Sequence, residues 1–225
     1  TGIRNVLIGG AGAGDALTTG SYNTAIGYLA LSAEDAHSYN TAIGAYALYT
    51  QDAGADGYNV AVGYYAGAAM TTGIQNTILG AHAGDALTAG NNNVALGYRA
   101  LSAEDAHGNN VAIGYDALKV QDAGADAYNV AIGSAAGTAV STGIQNILIG
   151  GIAGDALTTG NYNVAIGHNA LGTEDSGVGN VAIGRNALGS LNTGNNAYHV
   201  AIGYETGKLI NTGLRGVFIG AHSAD

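Results

Sequence analysis

Apolar residues recur along the chain in short alternating pentapeptides. The commonest form is Asn-Val-Ala-Ile-Gly, as in residues 110–114, where an Asn precedes an apolar triplet and a Gly closes it. In a strand, the second and fourth residues of such a pentapeptide point to one face and the middle residue points to the other. β-Branched residues dominate the first face, which favours a strand over a helix. Each pentapeptide is therefore predicted to hold one short strand.

The pentapeptide occurs thirteen times, at steps of 17–19 residues. A near-fixed period of this length is typical of a solenoid. Such a repeat is too short for a helix plus a strand but suits two short strands and two turns, the second strand falling in segments such as residues 28–31. The predicted fold class is all-β: a parallel β-solenoid, or β-roll, of about 13 coils with 17–19 residues each.

A second period of 70–71 residues lies above the first, because Thr-Gly-Ile or Thr-Gly-Leu begins at positions 1, 72, 142 and 212. It divides the chain into superblocks 1–71, 72–141 and 142–211 and a partial fourth, 212–225. We expect residues 1–225 to form a single repeat domain. Since the last superblock stops part-way, we also expect a segment of a longer repetitive protein, or a unit that abuts another copy.

A glycine closes every pentapeptide. The chain has 39 glycines, although glycine loses more conformational freedom on folding than any other residue. We infer that a regularly repeated backbone conformation requires them. We predict a positive φ or a close backbone approach at the corner of each coil. The thirteen predicted corner glycines are Gly9, Gly27, Gly44, Gly63, Gly80, Gly97, Gly114, Gly133, Gly150, Gly167, Gly184, Gly203 and Gly220.

Asparagine opens eleven of the thirteen pentapeptides. Stacked in register, each amide could bond the coils above and below and form a ladder. The alternative is that Asn simply favours the turn that enters the strand. Both interpretations are structural. The residues are Asn5, Asn23, Asn40, Asn59, Asn76, Asn93, Asn110, Asn129, Asn146, Asn163 and Asn180.

The middle residue of the pentapeptide is Ala in nine copies and a larger residue in every fourth copy: Leu7, Ile78, Leu148 and Phe218. Small residues there would let another surface approach closely, and the larger ones would fill a gap. A coil this thin has a small core of its own. A symmetric oligomer is a simple way to supply a neighbour that buries both faces.

Net charge and composition exclude several partners and sites. Six Lys and Arg against sixteen Asp and Glu give −10, which argues against nucleic acid and anionic membranes, because both need a cationic footprint. No apolar run is long enough to span a bilayer, and no signal-peptide pattern is visible. Without Cys, disulfides and thiolate metal sites are excluded. We expect neither nucleic acid binding nor membrane insertion.

Carboxylates repeat in register with the superblocks, and hard cations such as Ca²⁺ bind clustered carboxylates in turns. The preferred interpretation is instead a solvated face that keeps an edge-rich solenoid soluble. These residues are Glu34-Asp35, Glu104-Asp105, Glu174-Asp175, Asp15, Asp85, Asp155, Asp225, Asp52 with Asp56, and Asp122 with Asp126.

Histidines give no further sign of a metal or catalytic site. None of His37, His82, His107 and His222 has a second His at ligand spacing. No Ser/His/Asp arrangement and no phosphate-binding loop stands out. Paired carboxylates could support glycoside hydrolysis, but such sites normally break a repeat, and these carboxylates obey it. We therefore expect no catalytic residue, no metal and no cofactor, with Ca²⁺ in the acidic turns as the alternative.

Tyrosines occupy two recurrent positions. Tyr22, Tyr39, Tyr58, Tyr128, Tyr162 and Tyr198 come directly before a pentapeptide, and the second set follows a closing glycine. If exposed, these rings offer flat amphipathic surfaces for sugars or proteins. If buried, they pack across neighbouring coils, and we expect packing for at least one set. The predicted surface contacts are Tyr28, Tyr64, Tyr98, Tyr115 and Tyr204.

Closely stacked repeats of the form Asn-x-Ala-Ile-Gly-x-x-Ala resemble the YadA-like head repeats of trimeric autotransporter adhesins and the related repeats of phage tail fibres. The pentapeptides at Asn110, Asn129, Asn163 and Asn180 carry the resemblance best, and it covers essentially the whole chain. It implies a left-handed parallel β-roll wound as a homotrimer. The family's coils are commonly shorter than these, and the superblock period is unusual for it.

The resemblance also implies a function: an adhesive or structural fibre segment on a cell or virion surface, extracellular, with a host glycan or protein as partner. The alternative is a filament subunit that assembles end to end with itself, because the repeat phase matches at both ends. Ice binding ranks last, since the threonines cluster in turns rather than forming a ladder on a strand.

Overall fold

A computed structural model describes residues 2–10, 12–104, 106–193, 197–211 and 213–224. They form two compact units, Thr1–Asn110 and Val111–Asp225. Among the described residues every strand is three residues long and none is helical, so no helix is available to cross a membrane. The prediction of an all-β parallel solenoid is confirmed, with about 12 turns. That residues 1–225 form a single domain stays a prediction.

Each unit stacks its strands in chain order, parallel and in register. For example, Ala25 pairs with Ala42, and Ala131 pairs with Leu148. In the first unit the strands are β1 Val6–Ile8, β2 Thr24–Ile26, β3 Thr41–Ile43, β4 Val60–Val62, β5 Thr77–Leu79 and β6 Val94–Leu96. In the second they are β7 Val111–Ile113, β8 Val130–Ile132, β9 Ile147–Ile149, β10 Val164–Ile166, β11 Val181–Ile183, β12 Val200–Ile202 and β13 Val217–Ile219.

The second strand predicted in each coil is wrong. Residues 28–31 form turns, because Leu29 and Leu31 have left-handed backbones with φ of 54° and 50°. The turn runs still bond to the coils on both sides. In the run at residues 45–48, the Tyr46 N–H donates to the carbonyl of Tyr28 in the preceding coil (2.9 Å), and the Leu48 N–H donates to that of Ala66 in the following coil (3.0 Å). Each coil thus consists of one strand and one turn run, both linked along the stack.

The middle residue of each strand points inward, where it meets the turn runs of its own coil and of a neighbouring coil. Ala61 and Ile78 are both fully buried. Where the strand carries Ile78, the facing turn positions are glycines: a Cβ added at Gly67 or Gly84 would lie 3.0 or 3.2 Å from Ile78 Cδ1. Most other coils pair a strand Ala with a turn Leu, such as Leu48. A large residue on one side of the core is therefore accompanied by small residues on the other side.

The corner glycines all have positive φ, between 116° and 158°. At Gly63, φ is 140° and an added Cβ would lie 2.6 Å from the carbonyl oxygen of Gly80, the corner of the next coil. Side chains are thus excluded both by the backbone conformation and by the approach of the adjacent corner. This is the arrangement that lets successive strands stack directly.

Candidate functional site

The opening asparagines line the interior of each unit and bond to the backbone of the next coil. The Asn146 Oδ1 atom accepts from the backbone N–H of Asn163 (3.0 Å), and its Nδ2 donates to the carbonyl of Gly160 (2.9 Å). Both polar ends of a buried amide are thereby satisfied, as buried polar groups require. The same Oδ1 contact links Asn5 to Asn23, Asn23 to Asn40, Asn40 to Asn59, Asn59 to Asn76, Asn76 to Asn93, Asn93 to Asn110, Asn129 to Asn146 and Asn163 to Asn180.

His199 takes the place of Asn in the twelfth copy and reproduces its bonds. Its Nδ1 accepts from the Gly216 N–H (3.0 Å), and its Nε2 lies 3.1 Å from the carbonyl of Gly213. These partners fit a neutral ring with the proton on Nε2. The ring is buried, so His199 serves the same structural role as the asparagines.

The strands present an apolar face outward. Their first and third residues are mostly Val, Ile, Leu or Thr and are partly exposed, whereas the middle residue is buried in β2–β12. Leu79 is 43% exposed, whereas its neighbour Ile78 is 0% exposed. We call the outward residues of β1–β6 and those of β7–β13 the apolar strand faces of the two units.

Tyrosines form an exposed column just before the strands. Tyr22, Tyr39 and Tyr58 stack face to face, with ring centroids 5.2 and 4.9 Å apart. All three residues remain exposed. The column therefore packs along the stack while remaining accessible to solvent.

The predicted surface contacts Tyr28, Tyr64, Tyr98, Tyr115 and Tyr204 are all exposed. In the first unit they join a larger group that we call the aromatic patch: Tyr28, Tyr46, Tyr49, Tyr64, Tyr65, His82 and Tyr98. Loss of solvent within the patch, followed by neighbouring tyrosines, raises the pKa of Tyr46 and Tyr65. In the second unit, Tyr204 receives a hydrogen bond from Arg185 (2.8 Å).

The interpretation of the acidic segments as a solvated face is wrong for their glutamates. Glu34, Glu104 and Glu174 are fully buried, while Asp35 and Asp175 are exposed. The glutamates are buried because each carboxylate closes its own turn: Glu34 Oε1 accepts the backbone N–H of His37 (2.8 Å), and Glu174 Oε1 accepts that of Gly177 (2.8 Å). Asp105 and Asp225 lie outside the described residues.

Four chemically active side chains come together around the first of these turns. We call Glu34, Asp35, His37 and Asp52 the acidic cluster. Each offers one potential ligand atom, and these atoms all lie within 4.8 Å of one another. The sequence spacing gave no hint of this, because Asp52 comes from the following coil.

Other titratable groups with notable surroundings lie outside the acidic cluster. His82 Nδ1 lies 2.9 Å from Asp85 Oδ2. Burial raises the pKa of Asp155, whose Oδ1 is buried without a hydrogen-bond partner. Hydrogen bonds from Asn186 and then Lys208 lower the pKa of Glu205.

Comparison with known proteins adds no assignment: no family model, no curated protein and no solved structure matches this chain.

Proposed function

We propose that this chain is a structural and adhesive segment of an extracellular fibre, on a cell or virion surface, and that it assembles as a homotrimer of left-handed coils. The proposal rests on the resemblance of its repeats to YadA-like head repeats and phage tail fibre repeats. One structural observation carries it further: each unit has an apolar strand face.

The apolar strand faces favour association because they place aliphatic side chains in solvent in continuous register. Leu79 and Leu96 are aligned on neighbouring strands, and both are partly exposed. In the second unit Ile132 and Ile149 pair in the same way. Contiguous exposed apolar surface marks an interaction site, and a second copy of the same face would remove it from water.

The exposed tyrosines supply a repeated surface for binding. Tyr64 is 52% exposed and sits within the aromatic patch. Rings of this kind suit sugars and protein surfaces, because one part of the ring is apolar and the hydroxyl is polar. Binding by many weak, identical contacts would gain strength from multivalency.

Sedimentation of the purified chain tests the assembly. We expect a mass of about three chains, and a monomer for the double variant Leu79→Glu with Leu96→Glu, because buried carboxylates oppose association. Tyr64→Ser, on a different surface, is the matched control and should keep the mass of three chains. A monomeric unmodified chain would contradict the proposal.

The same experiment separates the alternative function. An end-to-end filament subunit would grow with concentration, without a limiting mass. Adhesion is tested separately: Tyr28→Ser with Tyr64→Ser should weaken attachment to host cells or glycans while the sedimentation mass stays unchanged. Unchanged attachment would assign adhesion to another surface.

A further inference from the structure

Hydrogen bonds within the protein leave one carboxylate oxygen of the acidic cluster without a partner. His37 Nδ1 lies 2.9 Å from Glu34 Oε1 and 3.6 Å from Asp52 Oδ1. The backbone N–H of His37 donates to Glu34 Oε1, and the ring Nδ1 lies within hydrogen-bond distance of the same oxygen. The second oxygen, Glu34 Oε2, is buried and has no hydrogen-bond partner.

An unsatisfied oxygen on a fully buried carboxylate is costly. Glu34 is 0% exposed, and a buried charge is tolerated when it is paired or coordinates a metal. The orphan oxygen therefore points to a bound cation, independently of the number of carboxylates nearby.

The third superblock shows the same turn without this problem. Glu174 occupies the position of Glu34, but Gly177 replaces His37 and Asn192 replaces Asp52. There Glu174 Oε2 accepts bonds from the backbone N–H and the hydroxyl of Thr193, both at 3.2 Å. The position of Thr193 is Ala53 in the first superblock, which has no side-chain donor.

Three positions thus change together between the first and third superblocks: those of His37, Asp52 and Ala53. Where His37 and Asp52 are present, the buried glutamate keeps an unpaired oxygen. Where both are replaced, a threonine satisfies that oxygen internally. Gln51 changes with them, because Leu191 occupies its position in the third superblock.

We propose that Glu34, Asp35, His37 and Asp52 bind a divalent transition-metal ion of the Zn²⁺ class. The imidazole nitrogen decides the class, because Ca²⁺ and Mg²⁺ take oxygen ligands, whereas Zn²⁺ accepts His nitrogen together with carboxylate oxygen. Ligand bonds of about 2.0–2.2 Å place ligand atoms at most about 4.4 Å apart. The exposed Asp35 and Asp52 need only a small movement to close on the ion.

Binding would join two successive coils. Glu34 and His37 belong to the turn that precedes β3, and Asp52 belongs to the turn that precedes β4. In the second superblock His107 bonds to Glu104 in the same way, at 3.0 Å from its backbone N–H and 3.2 Å from its ring.

Metal titration of the purified chain tests the proposal, with Zn²⁺ and Co²⁺ as probes and calorimetry and visible absorption as readouts. We expect the triple variant His37→Gly, Asp52→Asn, Ala53→Thr to lose one bound ion per chain, since it removes two ligands and gives Glu34 Oε2 a threonine donor like the one that Glu174 Oε2 has. Asp85→Asn, which removes the carboxylate next to His82, is the control and should bind as the unmodified chain does. Ala53→Thr alone should weaken binding, because it gives Glu34 Oε2 a competing donor.

Three results would overturn the assignment: no Zn²⁺ or Co²⁺ bound, an ion count unaffected by the triple variant, or binding of Ca²⁺ alone that survives the loss of His37. Circular dichroism checks that the variants fold. If the triple variant does not fold, the ring ¹⁵N signals of His37 in the unmodified chain decide: they shift on adding Zn²⁺ if Nδ1 is a ligand, and an unchanged spectrum rejects the site.

Discussion

Residues with side chains adopt left-handed backbones at fixed places in each coil. One place is the residue before the opening Asn, such as Tyr22 with φ of 59°, and two more lie in the turn run, such as Leu29 and Leu31. Each such residue costs about 1–2 kcal/mol relative to a right-handed conformation. Hydrogen bonds to the coils on both sides, repeated along the stack, offset that cost.

Ile152 is an extreme case, because β-branched residues tolerate φ of 50° poorly. The next two coils have Asn169 and Asn186 at this position, joined by a 3.1 Å hydrogen bond. We expect Ile152→Asn to raise the free energy of unfolding by about 1 kcal/mol, since it relieves strain and extends the amide pair. Urea denaturation measures it; a lower midpoint than that of the unmodified chain would contradict the expectation.

Gly63, one of the corner glycines, should tolerate no side chain. Gly63→Ala puts a Cβ 2.6 Å from the Gly80 oxygen at φ of 140°, and we expect a loss of at least about 1–3 kcal/mol of stability. Gly54→Ala is the matched control: its φ is 67°, but an added Cβ meets nothing within 4 Å. Comparable losses in the two variants, measured by thermal unfolding, would rule out the corner contact as the cause.

Asp155 should make stability depend on pH. Burial raises its folded-state pKa, so the folded chain binds a proton more tightly than the unfolded chain does. Above that pKa the charged carboxylate destabilises the fold, and this penalty disappears as the pH falls towards the unfolded value. We expect Asp155→Asn to melt at a higher temperature than the unmodified chain at pH 7.

The difference in melting temperature should shrink in acid, once Asp155 is protonated in both states. Melting curves recorded from pH 7 down to pH 3 follow it. A difference that stays constant over this range would mean that the amide acts through something other than charge.

Strand and turn run fill one shared core with residues of complementary size. Leu148 fills space beside Gly137 and Gly154, where an added Cβ would lie 2.6 and 2.8 Å from its δ-carbons. We expect Leu148→Ala to cost about 2–5 kcal/mol, because it opens a cavity that the glycines cannot fill. Its neighbour Ile147 faces outward.

Ile147→Ala is the control for that cavity. Ile147 is partly exposed, so truncation should cost less than half as much as Leu148→Ala in the same denaturation experiment. Equal costs would show that the outward side of β9 is as tightly packed as the inward side.

The strands could be predicted from sequence, and the turn run could not. Alternation around Ala112 gives β7 directly, since the strand period of two is visible in a single pentapeptide. Residues 28–31 also look like a strand, because nothing in Leu29 or Leu31 signals a left-handed backbone; only stacking against other coils imposes it. The acidic cluster was missed for the same reason: Asp52 meets His37 through the stacking of coils, not through local spacing.

At the scale of the whole molecule, each coil contacts its neighbours in the stack, so stability is a sum of local terms. This makes coil deletion a usable test within the first unit. Removing residues 24–40 excises 17 residues with an Ala strand and a turn Leu, and it leaves coils of compatible volume in contact. We expect this shortened chain to fold cooperatively.

Removing residues 77–93 excises the same number of residues but takes Ile78 away from Gly67. We expect this deletion to melt at a clearly lower temperature, because the space beside Gly67 is left unfilled. Calorimetry of the two deletions gives the comparison. Equal melting temperatures would show that all coils are interchangeable.

The large residue on every fourth strand therefore has an evolutionary consequence. Loss of a single coil that carries Ile78 or Leu148 leaves the glycines of the neighbouring coil without that side chain. Exchanges between equivalent points of two superblocks keep Ile78 or Leu148 beside its glycines. Length changes by whole superblocks, four coils at a time, should therefore preserve this packing wherever the exchange falls, whereas changes by one coil should preserve it only away from these strands.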